Sequence, residues 1–303
     1  MFLFWYIQLE PKIVGSTLSP FVTIIHTVHV SIVTPSYRGS DWLKLCLASV
    51  ADQGTEVEHI VQDAGSDDGT LEWLEGDKRA KLFVEKDQGM YDAINRGFRR
   101  SCGEILAFLN CDEQYLPGTL KNAVAFFREN PRVDVLFGNV VFTGRDGEYL
   151  WHRKMQIPLK YHTWTCHLST LTCGMFFRRR LLFEKNHTFN PELRDAGDAE
   201  WMLGLLQDRV TMAPLNQFTS VFTQTGNNMS AAPNAIRENA TLRHTAPPLI
   251  RLARPAFILH HRFRRLLGGM YSQGPFDYEL YTLASPNRRV RHHVAQPRFQ
   301  PQA

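Results

Sequence analysis

Short apolar runs alternate with amphipathic segments over the first half of the chain. The apolar runs have the length of strands and lie at Val28–Thr34, Val57–Val61, Lys81–Val84, Ile105–Leu109 and Val133–Phe142. The segments between them place apolar residues three or four positions apart, as one face of a helix requires, with the clearest set at Tyr91, Ile94 and Phe98. Strands that alternate with helices in this way predict an α/β fold with a parallel, doubly wound sheet. After residue 145 the alternation loosens.

Polar side chains directly follow the apolar run Ile105–Leu109. An unbroken run of this length predicts a strand that is buried on both faces, and ligands of open α/β sheets bind beyond the carboxyl ends of such strands. Asn110, Asp112 and Glu113 stand at that end. The two acids are hard oxygen ligands, which suit a magnesium or manganese ion that carries a phosphorylated substrate. A solvated turn is the alternative, and this segment alone does not decide between them.

The loop after the strand Val57–Val61 combines an acid with glycines. Asp63 is followed by Gly65 and Gly69, which let the chain turn sharply and let a ligand approach the backbone. A carboxylate here could accept the imide N–H of a uracil or thymine ring, whereas an Asx-rich turn would need no ligand. The acids lack the spacing of a calcium loop, and the absence of G-x-G-x-x-G argues against dinucleotide oxidoreduction.

Composition places the chain among ordinary globular proteins. Its 303 residues are 44% hydrophobic and 21% charged, with a net charge of +4. No apolar run approaches the roughly 18 residues of a membrane span. The five cysteines are odd in number and scattered, with no C-x-x-C pair, which argues against a disulfide framework or zinc site and fits a cytoplasmic location.

Five motifs occur in an order that resembles family 2 glycosyltransferases of the GT-A fold: TPSY (34–37), QDAGSDDGT (62–70), EKDQGMYDAINRG (85–97), AFLNCDEQYLPGTL (107–120) and FFRRRLLFEKNHTFNPELRDAGDAEWML (176–203). The resemblance implies a three-layer α/β/α sandwich with a mostly parallel central sheet over residues 28–230. Residues 1–27 are then an N-terminal extension, and residues 231–303 are a basic, helical C-terminal extension.

The same resemblance implies a donor site for a UDP-, dTDP- or GDP-linked sugar. Asp63 would contact the base, and Asp112 would bind Mg²⁺ or Mn²⁺, with Glu113 as a helper. Asn110 stands where the family usually has an acid, which is a departure from the usual metal motif. The implied donor-binding residues are Pro35, Tyr37, Asp63, Asp87, Asn110 and Asp112.

On the acceptor side the resemblance implies that Asp198 is the catalytic base, with Glu200 as the fallback. A helix N-cap is the alternative for Asp198. His167 would lie near the acceptor, or else be a satisfied core histidine. The segment Thr225–Ser230 resembles a loop that closes over the diphosphate, although an ordinary turn is an alternative.

These residues predict an inverting, metal-dependent transfer of a sugar from a nucleotide diphosphate to a glycan or polyprenyl-linked acceptor. A nucleotidyltransferase is a rival, but it would need a Gly-rich basic loop after the first strand, where only Arg38 occurs. A non-catalytic nucleotide-sugar-binding protein is a second rival. The presence of three well-spaced acids, Asp63, Asp112 and Asp198, counts against it.

The C-terminal region is strongly basic, with nine arginines from Arg251 onward against only Asp277 and Glu279. Arginines mix with apolar residues over 251–267, which is typical of a basic amphipathic helix on an anionic membrane surface. The alternative is a helix packed on the catalytic domain with a solvated basic face. No nucleic-acid-binding motif is present. We therefore expect a cytoplasmic protein that is peripheral on the inner face of the membrane.

Overall fold

The computed structural model describes residues 30–226 and 233–299, together with the backbone of 7–9 and 22–24. Strands β1 (Ile7–Leu9) and β2 (Val22–Ile24) pair antiparallel. The rest of the predicted extension 1–27 lies outside the described residues, as does most of the predicted loop Thr225–Ser230.

A central sheet carries the site. In the described residues it has nine strands: β3 (Val30–Ser36), β4 (Val57–Asp63), β5 (Lys81–Val84), β6 (Ile105–Phe108), β7 (Glu113–Tyr115), β8 (Val135–Thr143), β9 (Tyr149–Arg153), β10 (Met175–Arg178) and β11 (Met212–Thr223). Their order is β5-β4-β3-β6-β10-β8-β11-β7, with β9 also paired to β8. The run β5-β4-β3-β6 is parallel, as predicted.

The other half of the sheet differs from the mostly parallel prediction. Strand β10 pairs antiparallel with both β6 and β8, β9 pairs antiparallel with β8, and β7 pairs antiparallel with β11. Apart from the local β8–β9 hairpin, these pairings join segments that are distant in sequence, so the local alternation of strands and helices does not encode them. Strands β8 and β11 pair in parallel, and the sheet is therefore mixed.

The described helices are α1 (Ser40–Ala51), α2 (Thr70–Leu74), α3 (Met90–Arg100), α4 (Thr119–Glu129), α5 (Lys160–Thr165), α6 (Arg180–Phe183), α7 (Gly197–Gln207), α8 (Pro233–His244), α9 (Pro248–Leu252) and α10 (Arg254–Leu267), with a 3₁₀ turn at Thr172–Gly174. Helix α3 buries Tyr91, Ile94 and Phe98, the face that the sequence pattern predicted. None of the described helices has the length and apolar character of a membrane span.

Burial of both sheet faces explains the apolar runs. Every residue of β6 is buried. On β4 the neighbours Ile60 and Val61 point to opposite faces and pack into separate hydrophobic clusters. The layered α/β architecture is thus confirmed, with the carboxyl ends of β3, β4 and β6 at one edge.

The C-terminal region is helical only in its first part. Residues 276–294 form an antiparallel hairpin of β12 (Phe276–Thr282) and β13 (Ser285–Val294), which differs from the helical prediction. The buried residues Tyr278 and Leu280 alternate with more exposed neighbours, which is the period of a strand. Gln114 of β7 exchanges two hydrogen bonds of 2.9 Å with the backbone of Tyr281. The hairpin is therefore packed against the catalytic domain.

Candidate active site

Asp63 ends β4 and shapes the loop that follows it. Its side chain is fully buried. One carboxylate oxygen accepts the backbone N–H groups of Gly65 and Ser66 at 2.9 and 2.7 Å, and the other accepts the Ser66 hydroxyl at 2.8 Å. The structure thus contains the Asx-type turn that was the alternative interpretation of this loop. A contact between Asp63 and a base stays a prediction.

The loops after β3 and β4 are joined by Arg38. Its guanidinium binds both carboxylate oxygens of Asp67, at 2.5 and 2.7 Å, and its backbone N–H donates to the Ser66 hydroxyl at 2.8 Å. Tyr37 beside it is 57% exposed, and the guanidinium lies 5.1 Å from the ring centroid. Pro35 accepts a hydrogen bond from the Cys111 thiol at 3.3 Å. The predicted nucleotide loop therefore lies against the turn that carries Asp112.

A tight turn after β6 holds the predicted metal-binding residues. Glu113 donates its N–H to the Asn110 carbonyl at 3.1 Å, and its carboxylate accepts the Asn110 N–H at 2.8 Å. Burial raises the pKa of the Asp112 carboxyl. Burial and the neighbouring charge of Asp112 together raise the pKa of Glu113 to about 8. Two carboxyl groups are therefore held together in a desolvated place that disfavours negative charge.

A divalent cation fits this turn. The side-chain oxygen of Asn110 is buried and has no hydrogen-bond partner, and the Asp112 carboxylate is two residues away. No group of three His, Cys, Asp or Glu side chains in the described residues could hold a metal ion by itself. Magnesium, however, usually binds one or two protein carboxylates and completes its shell with water and substrate phosphates. One carboxylate and one amide oxygen match that mode.

Asp87 lies close to the Asp63 loop. Burial raises the pKa of Asp87, and the charges of Asp92 and Asp63 raise it further. The hydrogen bond that the Gly89 N–H donates to its carboxylate at 3.0 Å lowers this pKa and so opposes the rise. The same Asp63 charge, together with that of Asp112, contributes to raising the pKa of Cys111 to about 12, although burial is the main cause. Asp63, Asp87 and Asp112 therefore lie around one region at the carboxyl edge of the sheet, as the sequence predicted.

Asp198 lies in the first turn of α7. The helix cap is Ala196, so the N-cap interpretation of Asp198 is wrong. The carboxylate accepts the Ala199 N–H at 2.8 Å and the Tyr91 hydroxyl at 3.3 Å. Burial raises its pKa to about 6, and these hydrogen bonds oppose the rise. A carboxylate with this pKa is ionised at neutral pH and can still take up a proton.

Helix α3 lies between Asp87 and Asp198 and contacts the segment that leads to Asp198. The Asn95 side chain donates to the Phe189 carbonyl at 2.7 Å and accepts the Phe189 N–H at 3.1 Å. The Tyr91 ring packs so closely on Gly197 that a Cβ there would lie 2.6 Å from it. Tyr91 and Asn95 thus fix the segment that leads into α7. The motif that begins at Asp87 therefore reaches from the neighbourhood of Asp63 to the helix that carries Asp198.

Glu238 of α8 was not among the residues predicted from the sequence. Its carboxylate accepts the backbone N–H groups of Arg194, Asp195 and Ala196 at 3.0, 2.9 and 2.9 Å. Asn234, one turn earlier, donates to Glu238 at 2.8 Å. The contact links two segments that are 42 residues apart. The only local signal for it is the spacing of one helical turn between Asn234 and Glu238. Helix α8 therefore holds the loop that leads to Asp198.

The two remaining acceptor-side residues lie in different surroundings. Glu200 accepts a long hydrogen bond of 3.4 Å from the Asn190 side chain. His167 is exposed, so the core-histidine interpretation is wrong. Its ring meets that of His162 edge-on at 4.7 Å. His162 belongs to α5, which packs against α7, so His167 is near the helix that bears Asp198.

The fold is that of a GT-A-type glycosyltransferase. Residues 31–186 match the model of glycosyl transferase family 2, and the chain belongs to that family. A PGL/p-HBAD biosynthesis glycosyltransferase of Mycobacterium tuberculosis is 30% identical over 176 residues, which are 55% of this chain and 66% of that protein. The match thus spans just under two thirds of that relative.

Two further comparisons agree. Glycosyltransferase AglE of Haloferax volcanii is 34% identical over 126 residues, which cover 39% of this chain and 41% of AglE. The crystal structure of S. aureus TarS residues 1–349, in complex with UDP-GlcNAc, has a TM-score of 0.60 at 21% identity and covers 80% of this chain and 75% of that one. The TarS likeness establishes the shared fold.

Proposed function

We propose that this protein transfers a sugar from a nucleotide diphosphate to a hydroxyl of a glycan or lipid-linked acceptor, with inversion at the anomeric carbon. Asp198 carries the proposal, because it is a half-buried carboxylate that is oriented by Tyr91 and Ala199 and has a pKa of about 6. In a single displacement the attacking hydroxyl must lose a proton, and a carboxylate held near the acceptor is suited to take it.

The donor side supports a nucleotide diphosphate. The exposed ring of Tyr37 and the loop of Asp63 lie beside the turn of Asp112. The related fold of TarS was solved with UDP-GlcNAc and with UDP. We therefore assign the base and ribose to the loops after β3 and β4 and the diphosphate to the turn after β6.

Asp112 and the Asn110 side-chain oxygen would hold Mg²⁺ or Mn²⁺. When bound, such an ion neutralises the charge of the leaving diphosphate. Without it, the half-buried Asp112 carboxylate would repel the diphosphate, because both groups are negatively charged. Glu113 keeps the turn closed through the Asn110 N–H.

The nucleotidyltransferase alternative loses its main support. Arg38 was the one basic residue available after the first strand, and both of its guanidinium contacts go to Asp67. It links two loops and is not directed at a phosphate. The acids around Asp112 and the oriented Asp198 favour sugar transfer over binding alone.

A panel of nucleotide sugars tests the proposal. We expect one UDP-, dTDP- or GDP-linked sugar to raise the melting temperature when Mg²⁺ or Mn²⁺ is present, and to be slowly hydrolysed when no acceptor is supplied. Stabilisation by nucleoside triphosphates with release of pyrophosphate would instead support a nucleotidyltransferase. Stabilisation without any turnover would support a binding protein.

The pH profile should report the ionisation of Asp198. Because a base acts in its deprotonated form, kcat/KM should fall about tenfold per pH unit below pH 6 and level off above it. The Tyr91 hydroxyl stabilises the carboxylate, so Tyr91→Phe should move the acid limb to higher pH. Initial rates between pH 4.5 and 8 measure both. A profile that is flat through pH 6 in both proteins would contradict the assignment.

We also propose that α9 and α10 contact an anionic membrane surface. Leu249, Leu252, Leu259 and Phe263 are 79%, 79%, 70% and 55% exposed. Exposed arginines flank them, including Arg251, Arg254 and Arg262. Apolar side chains with basic neighbours match the interface between the headgroups and acyl chains of anionic lipids. The inner face of the α10 helix packs on α5, where the Phe257 and Tyr161 rings stack at 5.2 Å.

Substitution tests this surface better than deletion, because the hairpin β12–β13 is part of the domain core. Leu259→Asp with Phe263→Asp should lower partitioning onto phosphatidylglycerol vesicles by at least about tenfold, since each side chain contributes ~1.5–3 kcal/mol when buried. Ile236→Asp is the matched control, because Ile236 is 62% exposed on α8 outside this surface. Co-sedimentation measures the effect. Equal partitioning of all three proteins would remove the membrane proposal.

A further inference from the structure

Three histidine rings meet between α5 and α10. The rings of His162 and His261 stack with centroids 4.0 Å apart, and His167 meets His162 edge-on at 4.7 Å. His162 is 2% exposed, and its Nδ1 atom is buried without a hydrogen-bond partner. A buried polar nitrogen without a partner costs free energy unless a ligand or water satisfies it. The cluster therefore has unused hydrogen-bonding capacity.

The charges around the histidines are positive. After burial, the charges that most strongly lower the pKa of His167 are those of Arg153, Arg265, Arg254 and Arg243. The strongest charges on His261 are those of Arg265, His167, Arg264 and Arg153, and burial with these charges lowers its pKa to about 4. These arginines come from β9, α8 and α10. Three elements thus contribute cations whose charges reach the histidines.

Arg153 is half-buried, and its guanidinium lies 5.7 Å from the centroid of the Phe142 ring. Burial, and after it the charge of Arg265, lowers its pKa to about 10. Arg265 donates to the Lys154 carbonyl at 3.4 Å and lies 5.3 Å from the Tyr271 ring centroid. Arg153 and Arg265 carry like charges, so each disfavours the charge of the other, and a bound anion would reduce this repulsion.

We propose that this His–Arg cluster, formed by His162, His167, His261, Arg153 and Arg265, binds a phosphate or diphosphate group of the acceptor. Guanidinium groups match phosphate oxygens in geometry and charge, and the imidazole N–H groups add donors. The inference rests on the proposed function, since it assigns the acceptor side of that reaction.

Two observations favour the acceptor over the donor as the source of the phosphate. Helix α5, which carries His162, packs against α7, the helix of the proposed base. His261 and Arg265 lie one turn apart on α10. The same α10 helix exposes Leu259 and Phe263. A lipid whose chain enters the membrane at that exposed surface would present its phosphate at the inner side of the same helix.

Inorganic pyrophosphate in the presence of EDTA is the first probe. We expect calorimetry to show binding to the wild-type protein that weakens by about tenfold or more in Arg265→Gln and in His261→Gln, because charge-assisted hydrogen bonds are lost. Arg262→Gln and His260→Gln are the matched controls, since these residues are exposed on the same helix. Equal loss in the test and control variants, or no binding at all, would overturn the proposal.

Vesicles distinguish the source of the phosphate. Neutral phosphatidylcholine vesicles that contain a polyprenyl phosphate should bind the wild-type protein several-fold more than vesicles with the same fraction of polyprenol. Arg265→Gln should remove that difference, while Mg²⁺-dependent binding of the donor stays unchanged. If Arg265→Gln weakened donor binding instead, the cluster would belong to the donor diphosphate and the acceptor assignment would fail. Donor hydrolysis, measured in parallel, reports separately whether the proposed function holds.

Discussion

Asp198→Asn should lower kcat for sugar transfer by about 10²–10⁴-fold, the usual contribution of a general base. The amide keeps the shape of the side chain and an oxygen that can accept the Ala199 N–H, but it cannot take the proton of the attacking hydroxyl. Its hydrogen bonds within the described residues are to Tyr91 and Ala199, and none of them involves Asp63 or Asp112. Donor affinity should therefore change little. Steady-state transfer assays and calorimetric donor titration measure the two effects.

Glu200→Gln is the matched control for that experiment. Glu200 lies in the same helical turn and makes one long hydrogen bond to Asn190. We expect a change in kcat of only a few fold. If Glu200→Gln lost the activity while Asp198→Asn kept most of it, the fallback residue would be the base.

Asp112→Ala should abolish the effect of metal on donor binding. With Mg²⁺ or Mn²⁺, the dissociation constant of the donor should rise by at least about a hundredfold, because even the groups that orient metal ligands contribute 10–100-fold. In EDTA the variant should bind the donor no worse than the wild type, because the carboxylate then only repels the diphosphate. Calorimetric donor titrations of both proteins, with metal and in EDTA, measure this difference in affinity.

Asp146→Ala is the control for Asp112→Ala, because Asp146 is an exposed acid on the turn between β8 and β9. It should leave both titrations unchanged. Equal donor affinity for Asp112→Ala and the wild type in the presence of metal would show that Asp112 is not the metal ligand.

The sequence predicts well those features that depend on local pattern. The run Ile105–Leu109 is apolar because β6 is buried on both faces, and that burial places Asp112 at the carboxyl edge of the sheet. The face of α3 that bears Tyr91 was predicted from helical spacing. Which of the polar side chains at this edge bind the donor stays a prediction from the family resemblance.

Features that depend on contacts between distant segments could not be predicted. Glu238 binds backbone N–H groups more than 40 residues away. Because nearly every residue has a backbone N–H, the sequence does not show which of them this carboxylate binds. The antiparallel insertion of β10 between β6 and β8 is likewise a property of the whole sheet. The hairpin β12–β13 did leave a signal in the alternation of Tyr278 and Leu280. The amphipathic pattern of residues 251–267, together with the many arginines that follow, led to the prediction that residues 276–294 are helical as well.

The stereochemistry of the first product tests the central claim most directly. With an α-linked nucleotide sugar that the protein turns over, proton NMR can identify the anomer released by early hydrolysis before mutarotation. One displacement by a hydroxyl that a base deprotonates predicts the β anomer first. Early release of the α anomer would contradict a single displacement, and with it the role assigned to Asp198.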